Sequence, residues 1–110
     1  MTDSIDRTIF GELQQAAGAD FVIELVDTFA EEAPGMFAEL RAAHAAGAAE
    51  RFRRAAHSLK TNANTFGATA LGIQARELEL GGLPPDARAI DALQSLLDAT
   101  IPALKELARG

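Results

Sequence analysis

The 110-residue sequence has no cysteine, tryptophan or tyrosine, and its two histidines are His44 and His57. Without cysteine there can be no disulfide, no thiol nucleophile and no cysteine-ligated metal. Two histidines are too few for a histidine-rich zinc site, so we expect this chain to bind no metal. No apolar run approaches the ~20 residues of a membrane helix, and Asp3 and Asp6 stand where a signal peptide would be positively charged. These absences predict a soluble, cytoplasmic protein.

Clustered positive charge is also missing from the chain taken as a whole. Sixteen acidic and ten basic residues give a net charge of −6 and a pI near 4.8. That balance argues against a nucleic-acid binder and against a polybasic membrane anchor. A hydrophobic content of 48% with 24% charged residues is typical of a globular chain. Because this length suits one hydrophobic core, we predict a single domain over residues 1–110.

What the sequence does contain is mainly helix-forming. Twenty-four residues are alanine, the best helix former, and no stretch has the alternation of a strand or the dipeptide of a tight hairpin turn. Glycine and proline divide the chain into five predicted helices, at about 4–17, 20–47, 48–66, 68–80 and 86–108. Four long amphipathic helices with short connections favour an all-α fold: an antiparallel four-helix bundle with an additional short N-terminal helix.

Pro34 falls inside the second predicted helix, where a proline normally breaks or kinks the chain. The apolar residues keep helical spacing on both sides of it, whereas two separate helices would usually reset that spacing. We therefore predict one long helix, kinked at Pro34, with the proline on the solvent side and Asp20 as the N-cap. Its predicted core residues are Val22, Leu25, Phe29, Ala33, Met36, Leu40 and Ala43.

The charge is unevenly distributed along the chain. Residues 51–76 contain five basic residues and no acid. In the third helix, His57 lies on the side away from the apolar stripe, which comprises Phe52, Ala56, Leu59, Ala63 and Phe66. The residues that share the face of His57 are Arg53, Arg54, Lys60, Thr61 and Asn64. His57 should therefore be partly exposed among cations and neutral donors, although a solvated basic face without a role would show the same charge pattern.

A solvent-accessible imidazole is largely neutral near pH 7 and offers a nucleophilic lone pair. Lys60, one turn along the helix, can place its ammonium beside an anion attached to that ring. This pair suits phosphoryl transfer, in which positioning and charge neutralisation supply most of the catalysis. A surface histidine without a role remains open at this point. His44, near the negative end of its helix, is interpreted as structural, and Arg76 is expected to pair with an acid on its own helix face.

The segment around His57 resembles the motif of histidine phosphotransfer (HPt) domains. Residues 55–68 read AAHSLKTNANTFGA and are followed by Leu71 and Leu78-Glu79. The family pattern has a histidine, Leu and Lys two and three residues later, a small residue next, and Gly-Ala ten and eleven residues after the histidine. Residues 29–34, FAEEAP, are also similar to the family's second helix. The resemblance covers nearly the whole chain.

The resemblance implies that His57 is the phospho-accepting residue, usually through Nε2, and that Lys60 stabilises the phosphoryl group. It implies receiver domains of response regulators and a hybrid or sensor histidine kinase as partners, with Mg²⁺ on the receiver and no cofactor on this chain. Gly67 would end the phosphorylated helix. The residue after Lys60 is most typically glycine in the family and is Thr61 here, so its methyl could crowd a receiver or its hydroxyl could donate to the phosphate. The expected partner-binding residues are Arg53, Arg54, Thr61, Asn64 and Gly67.

Three functions are therefore considered. The first is a phosphorelay intermediate, which accepts a phosphoryl group on His57 from a receiver aspartate and passes it to another receiver. The second is a docking module that binds a receiver or kinase and never carries phosphate. A small hydrolase using His57 as a base is remote, because the motif supplies no acid or nucleophile partner. Autonomous kinase activity is not expected, because the chain has no glycine-rich nucleotide loop. A monomer is the expected state.

Overall fold

A computed structural model describes residues 5–110 and confirms the all-α prediction. These residues form five helices, α1 Arg7–Ala17, α2 Ala19–Ala45, α3 Ala49–Thr65, α4 Thr69–Leu80 and α5 Arg88–Arg109, and no strand. Contacts run from α2 to α3, from α3 to α4, from α4 to α5 and from α5 back to α2, so four helices surround one core. Connections of three residues, 46–48 and 66–68, make α2, α3 and α4 antiparallel neighbours. None of the helices in this range is long and apolar enough to cross a membrane.

The short first helix lies across α2 and α3. It begins at Arg7 because the Asp6 carboxylate accepts hydrogen bonds from the backbone N–H of Thr8 at 3.0 Å and of Ile9 at 3.2 Å. The predicted start at residue 4 lies outside the described residues. The Asp6 N–H donates to the Gly67 carbonyl at 2.7 Å, so the start of α1 is tied to the turn between α3 and α4.

The second helix continues through Pro34, and the proline is exposed, as the apolar spacing predicts. Two of its core residues were misassigned: Val26 and Phe37 are buried, whereas Leu25 and Met36 are only partly buried. The reason is that α2 packs against α1, α3 and α5 together, so the covered arc is wide and also takes in Val26 and Phe37. The helix also begins at Ala19, after Gly18, so Asp20 lies in the first turn and is not the cap.

The last helix and its connector place two further residues differently from the sequence pattern. The helix starts at Arg88, two residues later than predicted, because the Asp86 side chain accepts from the Arg88 N–H at 2.9 Å. Thr100 is buried and donates to the Leu96 carbonyl at 2.7 Å, while Ile101 is only partly covered.

His44 is structural, as interpreted. Its Nε2 lies 2.9 Å from the Pro84 carbonyl oxygen, so the end of α2 holds the 81–87 connector.

Gly67 has the conformation that ends α3, with φ of +74°. It is buried, and a Cβ added there would lie 2.7 Å from the Asp6 carbonyl oxygen and 3.0 Å from the Ile9 Cβ. The prediction that Gly67 contacts a partner is therefore wrong for this structure, because α1 covers it. The residue instead permits close packing of α1 on the α3–α4 turn.

Substitution of Gly67 tests this packing role. Gly67→Ala should lower the free energy of unfolding by roughly 1–2 kcal/mol through its positive φ, and by about 2 kcal/mol more through the clash with α1. Gly47→Ala is the matched control, because Gly47 has φ of +65° and nothing within 4 Å of its added Cβ. Urea unfolding of both variants would measure the difference. Equal losses would show that α1 does not press on Gly67.

Candidate functional site

His57 lies in the middle of α3 with 54% of its side chain exposed. Its Nδ1 is 2.7 Å from Oε2 of Glu79, a residue of α4. A carboxylate can only accept a hydrogen bond, so Nδ1 carries the proton and, in the neutral ring, Nε2 keeps its lone pair. No described residue hydrogen-bonds to Nε2. The structure therefore presents one defined ring nitrogen to solvent.

Glu79 connects the two residues that the sequence analysis assigns to phosphate chemistry. Its side chain is only 8% exposed, and its Oε1 lies 2.7 Å from Nζ of Lys60, whose side chain is 21% exposed. The Lys60 ammonium beside Oε1, followed by the hydrogen bond from His57, holds the pKa of Glu79 below its ordinary value of 4.5. Glu79 is therefore ionised at neutral pH and holds a histidine and a lysine one helical turn apart.

The composition of residues 51–76 indicates surroundings without acid, but the structure places an acid beside His57. Glu79 comes from the next helix, 22 residues along the chain, and reaches His57 because α4 packs closely on α3. Gly72 of α4 is buried against the Asn64 side chain of α3, and its lack of a Cβ allows this approach. Sequence reasoning missed the role of Glu79 although Leu78-Glu79 belongs to the recognised motif, because helical spacing relates residues only within one helix.

The basic residues near His57 are partly neutralised as well. Arg53 forms a bidentate pair with Glu50, at 2.9 and 2.6 Å, and Arg51 forms one with Glu39 of α2, at 3.0 and 2.9 Å. These hydrogen bonds lower the pKa of both carboxyl groups. Arg54 is 69% exposed and lies 3.9 Å from Glu50, so it is the arginine of this face most available to an approaching anion.

The polar residues beyond Lys60 lie on the same exposed face. Thr61 donates its hydroxyl to the His57 carbonyl oxygen at 3.0 Å, so in this structure it bonds to its own helix. The Asn64 side chain lies over α4, where a Cβ added to Gly72 would be 2.2 Å from Asn64 Oδ1. Both residues are exposed, which leaves them accessible to a partner that docks over His57.

A groove of about 630 Å³ runs between α2 and α3 beside this face. Its lining combines apolar and charged side chains: Glu32, Gly35, Met36, Glu39, Arg51, Arg54, Ala55 and Ser58. Arg54 lines the groove and shares the helix face of His57, so the groove adjoins that face. No three His, Asp or Glu side chains within residues 5–110 come together in a way that could hold a metal ion.

Comparison with known proteins identifies the family. The model of the Hpt domain matches residues 24–103. Among solved structures, the crystal structure of histidine-containing phosphotransfer protein B from Pseudomonas aeruginosa is similar, with a TM-score of 0.75 and 25% sequence identity, and the match covers 99% of this chain and 94% of that one. A search of curated proteins gave no match. The family match spans most of the chain, α3 and α4 included, so this chain belongs to the Hpt domain family, whose members are phosphocarriers in two-component phosphorelays.

Proposed function

We propose that this protein carries a phosphoryl group on Nε2 of His57, accepting it from a receiver-domain aspartate and passing it to the aspartate of another receiver. The observation that carries the proposal is the half-exposed imidazole whose Nδ1 is bound by the nearly buried Glu79. This arrangement protonates one nitrogen and leaves the other as an accessible nucleophile. A histidine that only docks a partner would need no such fixed tautomer.

The proposed transfer balances without a further reactant. The Nε2 lone pair attacks the phosphorus of the receiver's aspartyl phosphate, the N–P bond forms, and the bond from phosphorus to the aspartate oxygen breaks. The aspartate leaves as a carboxylate, and the positive charge gained by the ring is stabilised by the Glu79 carboxylate at Nδ1. Attack by a second receiver's aspartate reverses these steps. The Mg²⁺ that screens the phosphoryl oxygens is expected on the receiver.

Lys60 is proposed to stabilise the phosphoryl group. Its ammonium lies in the same cluster as the imidazole and is held there by Glu79 rather than extended into solvent. A phosphoryl group on Nε2 would bring new negative charge close to this ammonium, which can then leave Glu79 for the phosphoryl oxygens. Holding the cation in place before the reaction lowers the cost of reorganisation in the transition state.

The proposed partner surface is the exposed face of α3 with the adjoining groove. Arg54 and the exposed Asn64 offer hydrogen-bond donors to an acidic receiver, and Met36 offers apolar contact within the groove. Arg53 is a weaker candidate, because Glu50 already satisfies its guanidinium. Elsewhere the chain is predominantly acidic, so an acidic receiver is favoured at this face and repelled at others.

The phosphate-carrying function and the docking alternative are separated by a labelling experiment. A receiver carrying labelled phosphate is mixed with this protein, and an acid-labile, base-stable adduct should appear on the chain. His57→Gln should abolish that adduct, whereas His44→Gln is the matched control and should retain it. Receiver binding without any adduct would instead support the docking module.

The role of Lys60 is tested by separating it from that of Glu79. Lys60→Ala should slow transfer by about 100-fold, as expected for loss of one preorganised charge donor. Because this change also leaves Glu79 without its cation, the double variant Lys60→Ala/Glu79→Gln serves as the control. Rapid-mixing measurements should find the double variant slower than Glu79→Gln alone, because the ammonium also stabilises the phosphoryl group directly. Equal rates for the double variant and for Glu79→Gln would show that Lys60 acts only through Glu79.

Glu79 should also make the free energy of unfolding depend on pH. The pKa of its carboxyl group is lowered in the folded state, so its contribution to stability is present above the unfolded value near 4.5 and is lost as the pH falls through the folded value. Glu79→Gln should therefore be less stable than the wild type at pH 7, and the gap should shrink on acidification below pH 4.5. Urea unfolding at several pH values would measure it. A gap independent of pH would contradict ionic binding by Glu79.

A further inference from the structure

The outer face of α4 carries apolar side chains that the bundle does not use. Ile73 is 61% exposed and Leu80 is 66% exposed, and the third large apolar residue with such exposure in the described chain, Phe21, lies on α2. A groove of about 630 Å³ between α4 and α5 borders this face, and its lining includes Ile73, Glu77, Ala89 and Ala92. An unpaired apolar ridge beside a groove is the form of surface that binds another helix.

Two charged residues lie between the two apolar ones. Arg76 and Glu77 are exposed, and within residues 5–110 neither has an ion-pair partner, so the expected pairing of Arg76 with an acid of its own helix is absent. Residues 73, 76, 77 and 80 share one side of the helix, because they are spaced by three, four and seven. The outer face of α4 is therefore a short segment with an apolar residue at each end and opposite charges at its centre.

This pattern is complementary to itself. An antiparallel two-fold axis passing between residues 76 and 77 brings Ile73 of one copy level with Leu80 of the other. The same axis brings Arg76 of each copy level with Glu77 of the other, within reach of the long arginine side chain. Symmetric dimers are built from one patch that serves both copies, so a residue pattern of this kind fits a second copy of the same chain.

We propose that the outer face of α4 is the interface of a weak homodimer in which two α4 helices pack antiparallel. The size of the surface accounts for the weakness. A helix of 12 residues is about 18 Å long, so α4 alone buries less than the roughly 800 Å² per copy of a standard stable interface. The dimer should therefore form only at high concentration. This inference does not depend on phosphate transfer and replaces the expectation of a monomer.

Sedimentation equilibrium of the full chain from about 10 µM to 1 mM tests the proposal. The wild type should show a concentration-dependent dimer, and Ile73→Asp or Leu80→Asp should weaken it at least tenfold. Phe21→Asp is the matched control, because Phe21 is exposed but lies outside this face, and it should leave the dimer unchanged. Circular dichroism would establish that each variant keeps its helices. A wild type that is monomeric at 1 mM, or a dimer as sensitive to Phe21→Asp as to the α4 variants, would overturn the proposal.

A charge exchange identifies the second copy directly and does not rely on the apolar substitutions. Arg76→Glu leaves two acidic residues at the centre of the face, and Glu77→Arg leaves two basic residues there. Each variant alone should be monomeric through repulsion between like charges, while an equimolar mixture should form a heterodimer more tightly than the wild type pairs with itself. Failure of the mixture to associate would overturn the antiparallel arrangement. If only receiver binding changes in these variants, the face belongs to a receiver and the dimer is refuted.

Discussion

The carboxylate of Glu79 is the interaction on which the functional face depends. One nearly buried acid on α4 binds both Nδ1 of His57 and Nζ of Lys60 on α3. It determines that Nδ1 of the imidazole is protonated, that the Lys60 ammonium is held beside His57, and that Nε2 is the nitrogen left to solvent. Because the contacts with Lys60 and His57 lower the pKa of this acid, the three residues depend on one another. The chemistry therefore belongs to a pair of packed helices rather than to one exposed histidine.

That contact requires α3 and α4 to lie close together, and the protein achieves this with a glycine in α4 and a tight turn. The Asn64 side chain of α3 occupies the space that a Cβ at Gly72 would fill. Gly67 reverses the chain with a positive φ while α1 covers it. The short first helix thus supports the turn that sets the register between His57 and Glu79.

The charge available to a partner differs from one surface of the protein to another. The net charge of −6 describes the chain as a whole, but several of the basic residues that stand out in the sequence are already engaged. Arg51 binds Glu39 across α2 and α3, and Arg53 binds Glu50 on its own helix. Exposed pairs of this kind contribute little stability, and they reduce the charge that a partner meets. Arg54 near His57 remains accessible, whereas Arg76 lies on a different face, which we assign to self-association.

The sequence by itself determined the helices, the passage of α2 through Pro34, the burial stripe of α3 and the exposure of His57. These properties depend on the period of a single helix, which the spacing of apolar residues along that helix indicates. It did not reveal that Val26 and Phe37 replace Leu25 and Met36 in the core, that Gly67 is covered, or that Glu79 binds His57. Each of these depends on how far one helix is rotated and shifted against another. Only the tertiary structure decides that, because close packing of side chains distant in the chain sets the rotation and the shift.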